Sequence, residues 1–173
     1  MTTNDIVTDR LILRSTRESD GEFCLSIWLD DEMGRYLSDP PRALADEAEL
    51  NFAKGIEHDE GWYPFVAVLK ATGERIGTCS LVPGENNEKW DLGYCVHRDY
   101  WRQGIATEMI RALIDYGRAH GGRRFTADVA KDNAGSNAVL RKLGFQPVSE
   151  GTFRKRLTDI VYEKYTYELK FDS

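Results

Sequence analysis

The sequence predicts an α+β fold: a mixed, mostly antiparallel sheet flanked by helices. Three observations carry this. Between Trp62 and His97, three strand-like segments follow one another across short polar turns, the pattern of an antiparallel meander. From Lys89 to Val129 the order becomes strand, long amphipathic helix, strand, which requires a parallel crossover and makes the sheet mixed. The 173 residues contain no Pro/Gly/Ser-rich linker, internal repeat or low-complexity tract, so residues 1–173 read as one domain with its own core.

The elements follow in order. In DRLILRST, Asp9 to Thr16, Leu11 and Leu13 share one side of a strand that opens the domain. Two short helices come next. Glu22 to Leu29 offers Phe23, Ile27 and Trp28, and Asp46 to Ile56 offers Leu50, Ala53 and Ile56 at helical spacing, with Pro40 and Pro41 between them. Trp62 to Lys70 and Arg75 to Val82 form a hairpin across ATGE, where Gly73 supplies the tight turn. After PGENNE, the strand Lys89 to His97 puts Trp90, Leu92, Tyr94 and Val96 on one face and Asp91, Gly93, Cys95 and His97 on the other. A helix follows with Ile105, Met109, Ala112, Leu113, Tyr116 and His120 on one apolar face, and Gly121 ends it. The strand Arg124 to Val129 leads to a helix capped by Asn133 and stopped by Gly144, after which Phe145 folds back on Leu140 as in a Schellman end. Strands at Gln146 to Glu150 and Val161 to Phe171 complete the pattern.

Charge and composition narrow the function. The net charge of -6 argues against generic nucleic-acid binding, which needs a basic surface; only Arg123–Arg124 and the run Arg154 to Arg156 point the other way. Residues 18 to 60 are strongly acidic, with Glu18, Asp20, Glu22, Asp30, Asp31, Glu32 and seven further carboxylates against Arg35, Arg42 and Lys54. The region of the helix that follows Tyr100 brings positive charge from Arg102, Arg111, Arg118, Arg123 and Arg124. This asymmetry suits a cationic partner over the first half and an anionic one over the second. Cys24, Cys79 and Cys95 are odd in number and widely spaced, so neither a disulfide framework nor a metal site is expected. With no basic–apolar leader and no apolar run of about 20 residues, the expectation is a cytoplasmic protein that does not enter a membrane.

The stretch YWRQGIATEMIRALIDYGRAHGG, Tyr100 to Gly122, contains the first chemical signal. Helices commonly begin with Ser, Thr, Asp or Asn accepting from the free first-turn amides. Here Arg102, Gln103 and Gly104 hold that turn, and none is a good side-chain acceptor. An anion fits instead: the orphan N–H groups and the positive end of the macrodipole converge there, and Gly104 allows close approach to the backbone.

Three segments stand in fixed order: DRLILR (9–14), YWRQGIATE (100–108) and NAGSNAVLRKLGF (133–145). Together they resemble the GCN5-related N-acetyltransferases (GNAT) and, more narrowly, the ribosomal-protein N-acetyltransferases of the RimJ/RimL type, to which polyamine and other small-amine acetyltransferases are also similar. The resemblance runs from Asp9 to Leu169. In that superfamily the turn before the central helix reads Gln or Arg, two residues, Gly, one residue, then Gly or Ala. Gly104 and Ala106 fit, while Trp101 holds the first slot, as is common in the RimJ/RimL-like branch.

The resemblance implies a single GNAT-like domain with a splayed parallel strand pair that binds acetyl-CoA as cosubstrate, with no metal. Backbone N–H groups of Arg102, Gln103, Gly104, Ile105, Ala106 and Thr107 would hold its pyrophosphate. The pantetheine arm would pair with Tyr94, Cys95 and Val96 as an added strand does, and an N–H near Val96 would face the thioester oxygen. Asn133, Ser136 and Asn137 would lie beside the cofactor, Ser136 near its sulfur and able to give a proton to the departing thiolate. Asn133 has a second available role as helix cap, and Ser136 as a partner of local backbone.

The implied reaction is acetyl transfer to a primary amine in a ternary complex: a protein N-terminus, a polyamine or another small, cationic amine. An alkylammonium titrates near 10, so a base must take its proton. Asp91 stands where the branch usually has Glu; being one methylene shorter, it would act through a bridging water. His97, on the same strand face, is the rival base. Direct attack requires no covalent intermediate and gives the cysteines no role. The competing reading is a non-catalytic CoA or acyl-CoA-binding module on the same fold. Relatives are monomers or homodimers, and the sequence does not choose between them.

Overall fold

The computed structural model describes residues 1–172. Its strands are β1 (Ile6–Val7), β2 (Leu11–Ser15), β3 (Tyr63–Leu69), β4 (Arg75–Pro83), β5 (Lys89–Val96), β6 (Arg124–Ala130), β7 (Gln146–Arg154) and β8 (Val161–Lys170). The helices are α1 (Gly21–Trp28), α2 (Glu47–Gly55), α3 (Ile105–Ala119) and α4 (Ala134–Lys142). The strands join in one sheet, β1-β2-β3-β4-β5-β6-β8-β7, in which, among the described residues, β5 and β6 alone run parallel.

Alternation along the strands decides what each helix covers. Trp90 and Leu92 of β5 share a face with Leu81 of β4, and they form one buried core with Ile105, Met109, Ile110 and Leu113 of α3. The opposite face carries α1 and α2: Trp28 Nε1 at the end of α1 donates to Thr78 Oγ1 on β4 (3.0 Å), beneath a second group of buried residues that includes Cys24, Ile27, Ala53 and Ile56. Asp20, at the start of α1, fixes this layer to the sheet. Its carboxylate accepts from Arg14 of β2 (2.7 and 2.9 Å), Arg75 of β4 (3.1 Å) and the Arg17 N–H (2.9 Å). Gly77 lets β4 approach β5 closely, because a Cβ there would lie 2.5 Å from the Cys95 carbonyl oxygen.

Local signals explain the helix ends. Asp46 caps α2, accepting from Ala48 N (3.0 Å) and Glu49 N (3.3 Å). α4 closes in a Schellman motif: Gly144 is left-handed at φ 93°, its N–H reaches Arg141 O (3.0 Å) and the Phe145 N–H reaches Leu140 O (3.0 Å).

Two elements differ from expectation. β1 is an added edge of two residues, too short to show a period, and it exists because Ile6 and Val7 pair with Leu13 and Ile12. β7 runs to Arg154 rather than Glu150, since its pairing with β8 continues from Gly151↔Lys164 to Arg154↔Val161. As an edge strand it is largely exposed, so little apolar alternation marks its length.

Candidate active site

The parallel pairing of β5 with β6 covers only Lys89↔Arg124, Trp90↔Phe125 and Asp91↔Thr126. Beyond it the strands part: β5 pairs with β4 as far as Val96, and β6 with β8 as far as Ala130. The direction of the freed backbone follows from one hydrogen bond. The His97 N–H points to β4, donating to Ile76 O (2.8 Å), so by alternation the main-chain groups of Val96 and Tyr94 point away from β4, into the gap. Such an edge can pair with an extended chain that carries its own amide groups.

Side chains line this gap from both sides. The Tyr94 hydroxyl of β5 is hydrogen-bonded to Ser136 Oγ of α4, so the two hydroxyls bridge it. Burial raises the Tyr94 phenol to about 12, with the Ser136 bond opposing the shift, which keeps it protonated near neutrality. Asn133 caps α4, its Oδ1 accepting from Ser136 N (3.3 Å). Asn137 is turned inward: Nδ2 donates to the carbonyls of Ala130 (3.0 Å), Lys131 (3.3 Å) and Asn133 (2.8 Å), and Oδ1 accepts from Tyr167 Oη (2.6 Å). Its role here is to lock α4 onto the end of β6. The Val96 carbonyl receives Trp101 Nε1 (2.7 Å), which ties the loop before α3 to the end of β5.

That loop is built to present N–H groups. Arg102 (φ 60°) and Gly104 (φ 75°) are both left-handed, and α3 starts at Gly104 without a side-chain cap. None of the backbone N–H groups from Arg102 to Thr107 has a protein hydrogen-bond partner among the described residues. A run of unpartnered amides at a helix start has the chemistry to hold an anion such as a diphosphate.

Sequence reasoning missed what holds this turn in shape. Arg10, at the start of β2, donates through Nη1 to Gln103 O (2.8 Å) and through Nε to Glu108 Oε1 (2.8 Å), and its own N–H reaches Glu108 Oε2 (3.0 Å). Burial pushes the Glu108 carboxyl up, but the Thr8 hydroxyl (2.5 Å) and Arg10 outweigh it and hold it below its usual range. A carboxylate in the first turn of α3 whose partner lies 98 residues earlier has no local signature; only the fold brings Arg10 to it.

On the other side of β5 lies a cavity of about 250 Å³. Gly93, Tyr94 and Cys95 line it together with Trp28, Phe52, Trp62, Phe65 and Asp39. The gap and the cavity therefore meet at one stretch of β5, with Tyr94 common to both. Burial raises the Cys95 thiol to about 12, so it is no thiolate at neutral pH and no ready nucleophile.

Asp91 sits on the cavity-facing side of β5, one alternation before Gly93, without lining the cavity itself. Loss of water around its carboxyl raises its pKa above the usual carboxylate value; the hydrogen bond from Thr126 Oγ1 (2.8 Å) opposes this and the Asp128 charge adds to it. His97 is farther from this chemistry. Its Nδ1 accepts from Asp99 N (3.2 Å), capping the short turn Arg98–Tyr100, and the ring borders a separate surface depression with Glu74, Arg75 and Tyr100.

Comparison with known proteins gives a consistent picture. A model of the acetyltransferase (GNAT) domain matches residues 10–146. The uncharacterized N-acetyltransferase YoaA of Bacillus subtilis (strain 168) is 30% identical over 152 residues, 86% of this chain and 85% of that protein. Among solved structures, the RimL ribosomal L7/L12 alpha-N-protein acetyltransferase superposes with a TM-score of 0.75 at 24% identity, covering 97% of this chain and 94% of the other. The microcin C7 self-immunity acetyltransferase MccE, solved with acetyl-CoA and AMP, superposes with a TM-score of 0.77 at 19% identity, covering 95% and 94%.

Proposed function

This chain belongs to the GNAT acetyltransferase family, and from that premise we propose that it acetylates a primary amine by direct attack in a ternary complex. Acetyl transfer from acetyl-CoA is the family's reaction; the amine class and the residue roles are our reading. The observation that carries it is the parting of β5 from β6 beside an uncapped nest of amides, with a cavity opening onto the same stretch of β5.

The chain's residues divide the work as follows. The N–H groups of Arg102 to Thr107 bind the diphosphate, and the α3 dipole adds to their attraction. Tyr94 and Val96 offer main-chain groups to the pantetheine arm, leaving the Val96 N–H toward the thioester oxygen, where negative charge grows as the amine attacks. Acetyl-CoA supplies an acetyl group already activated as a thioester. As the amine nitrogen bonds to the carbonyl carbon, the carbon–sulfur bond breaks, and the electron pair leaves with sulfur. The Ser136–Tyr94 hydroxyl pair delivers a proton to that thiolate. Asp91, through a bridging water, removes the proton that makes the incoming ammonium an amine; the second nitrogen proton leaves as the amide forms and restores the hydroxyl pair.

The test is release of free thiol from acetyl-CoA across primary amines, polyamines, aminoglycosides and short peptides, with CoA affinity measured in parallel. Acceptor-dependent release supports the reading. CoA binding without release for any acceptor would overturn it in favour of a CoA-binding module.

A further inference from the structure

The cavity beside β5 has a chemistry of its own. Four aromatic rings, Trp28, Phe52, Trp62 and Phe65, share its walls with the hydroxyl residues Thr16, Thr78, Ser80 and Tyr94; among the described residues Asp39 is its one carboxylate and no Lys, Arg or His lines it. The indole N–H of Trp28 is spent on Thr78 Oγ1 (3.0 Å), so that ring offers the cavity apolar surface rather than a donor. Phe52 remains 52% exposed, a large ring left open to solvent where it borders the cavity.

Asp39 is held in place without being neutralised by a direct partner. No side chain donates a hydrogen bond to it among the described residues. The two cations nearest in charge are committed elsewhere: Lys155 Nζ donates to the carbonyls of Gly34 (2.8 Å) and Leu37 (3.0 Å), and Arg156 pairs with Glu49. The Arg156 N–H also takes Ser38 O (2.8 Å), so the β7–β8 connection grips the backbone just before Asp39.

Resting on the acetyl-transfer reading above, we propose that this cavity selects acceptors with a single primary ammonium carrying an aromatic or bulky apolar group within a few bonds, Asp39 receiving the ammonium and the rings the apolar body. An ammonium between a carboxylate and aromatic faces gains from both. Burial raises the Asp39 carboxyl above its usual value, and an arriving cation relieves that cost. A polyamine finds no second carboxylate here. An aminoglycoside would bring several ammonium groups to a single carboxylate and leave part of its polar surface against the rings. The volume, about 250 Å³, lies below the roughly 300–1,000 Å³ of drug-sized pockets, which suits a one-ring body. Two sources share this chemistry, a free arylalkylamine and a peptide N-terminus with an aromatic first residue.

The experiment is calorimetric binding to the CoA-loaded protein, with thiol release followed alongside. The probes are 2-phenylethylamine, ethylamine, spermidine, kanamycin, and tripeptides beginning with Phe or Ser. We expect 2-phenylethylamine or the Phe peptide to bind about ten-fold or more tightly than ethylamine, spermidine and kanamycin, and whichever of the two binds better identifies the source. Asp39→Asn weakens that binding about ten-fold and Phe52→Ala several-fold, both with CoA affinity unchanged as the folding control. Equal or tighter binding of spermidine or kanamycin, no detectable binding of either aromatic probe, or Asp39→Asn binding as the wild type overturns the proposal. Asp39-dependent binding without thiol release for any probe would leave the cavity assignment standing and sink the acetyl-transfer reading. Release with spermidine alone would do the reverse.

Discussion

The hydroxyls of Tyr94 and Ser136 meet in a hydrogen bond across the gap between β5 and β6, one carried by the strand that leaves the parallel pair and the other by the helix that follows β6. If this pair returns a proton to sulfur, each partner alone loses the relay. Tyr94→Phe and Ser136→Ala should each lower kcat about 10²-fold, the low end of general acid catalysis, with CoA affinity within about three-fold of wild type. The double variant should be little worse than either single one, because the two act as a unit. Additive losses in the steady-state rate would separate their roles.

Asp91 should appear in the pH profile. Because the acceptor must lose a proton, log(kcat/KM) rises with a slope near one below the amine's own pKa. Below the pKa of Asp91, which lies above the ordinary carboxylate value, a second required ionisation steepens the slope toward two. Asp91→Asn should be slower and keep a slope near one throughout. A variant profile that retains the steeper acid limb would move the base elsewhere.

Gly104 is left-handed at φ 75°, and a Cβ there would stand 3.4 Å from Arg10 Nη2. Gly104→Val therefore strains the backbone and crowds the nest at once, and CoA affinity should fall about ten-fold or more, at least ~1.4 kcal/mol. Arg10→Ala, which removes the brace to Gln103 O and Glu108, should weaken CoA in the same direction while leaving acceptor affinity unchanged. Both are read by titration of CoA into folded protein, and unaltered binding by both variants would remove the anion-site assignment.

Acid should loosen the α1 layer through Asp20. Burial alone would raise its carboxyl, but the hydrogen bonds from Arg14, Arg17 N–H and Arg75 prevail and bring it from 3.8 to about 2. A carboxylate depressed on folding stabilises the folded state above its unfolded pKa, and that stability is lost as pH falls through the folded value. The window is therefore about pH 4 down to pH 2, and the contribution at neutral pH is about 2 kcal/mol. Asp20→Asn should lose about this much in denaturant unfolding at pH 7, and its stability should change less than the wild type's between pH 4 and pH 2.

The sequence by itself determined most of the elements and the uncapped turn before α3. Period-2 runs specify β2 to β5, Asp46 and Gly144 mark helix ends, and the absence of an acceptor residue before Ile105 points to an anion, all through interactions that span a few residues. Tertiary structure alone decided the rest. The parting of β5 from β6 depends on where two strands more than thirty residues apart stop pairing. Arg10 reaches Glu108, and Arg14 and Arg75 reach Asp20, only because the sheet order makes distant segments neighbours. Asp39 was one acidic residue among thirteen between residues 18 and 60; it became distinctive once the fold set it in one cavity with Trp28, Phe52, Trp62 and Phe65. The physical reason is the range of the forces that write each feature. Backbone period and capping are encoded by neighbours in the chain, whereas a cavity and its charge are made by side chains that meet only when the hydrophobic layers pack.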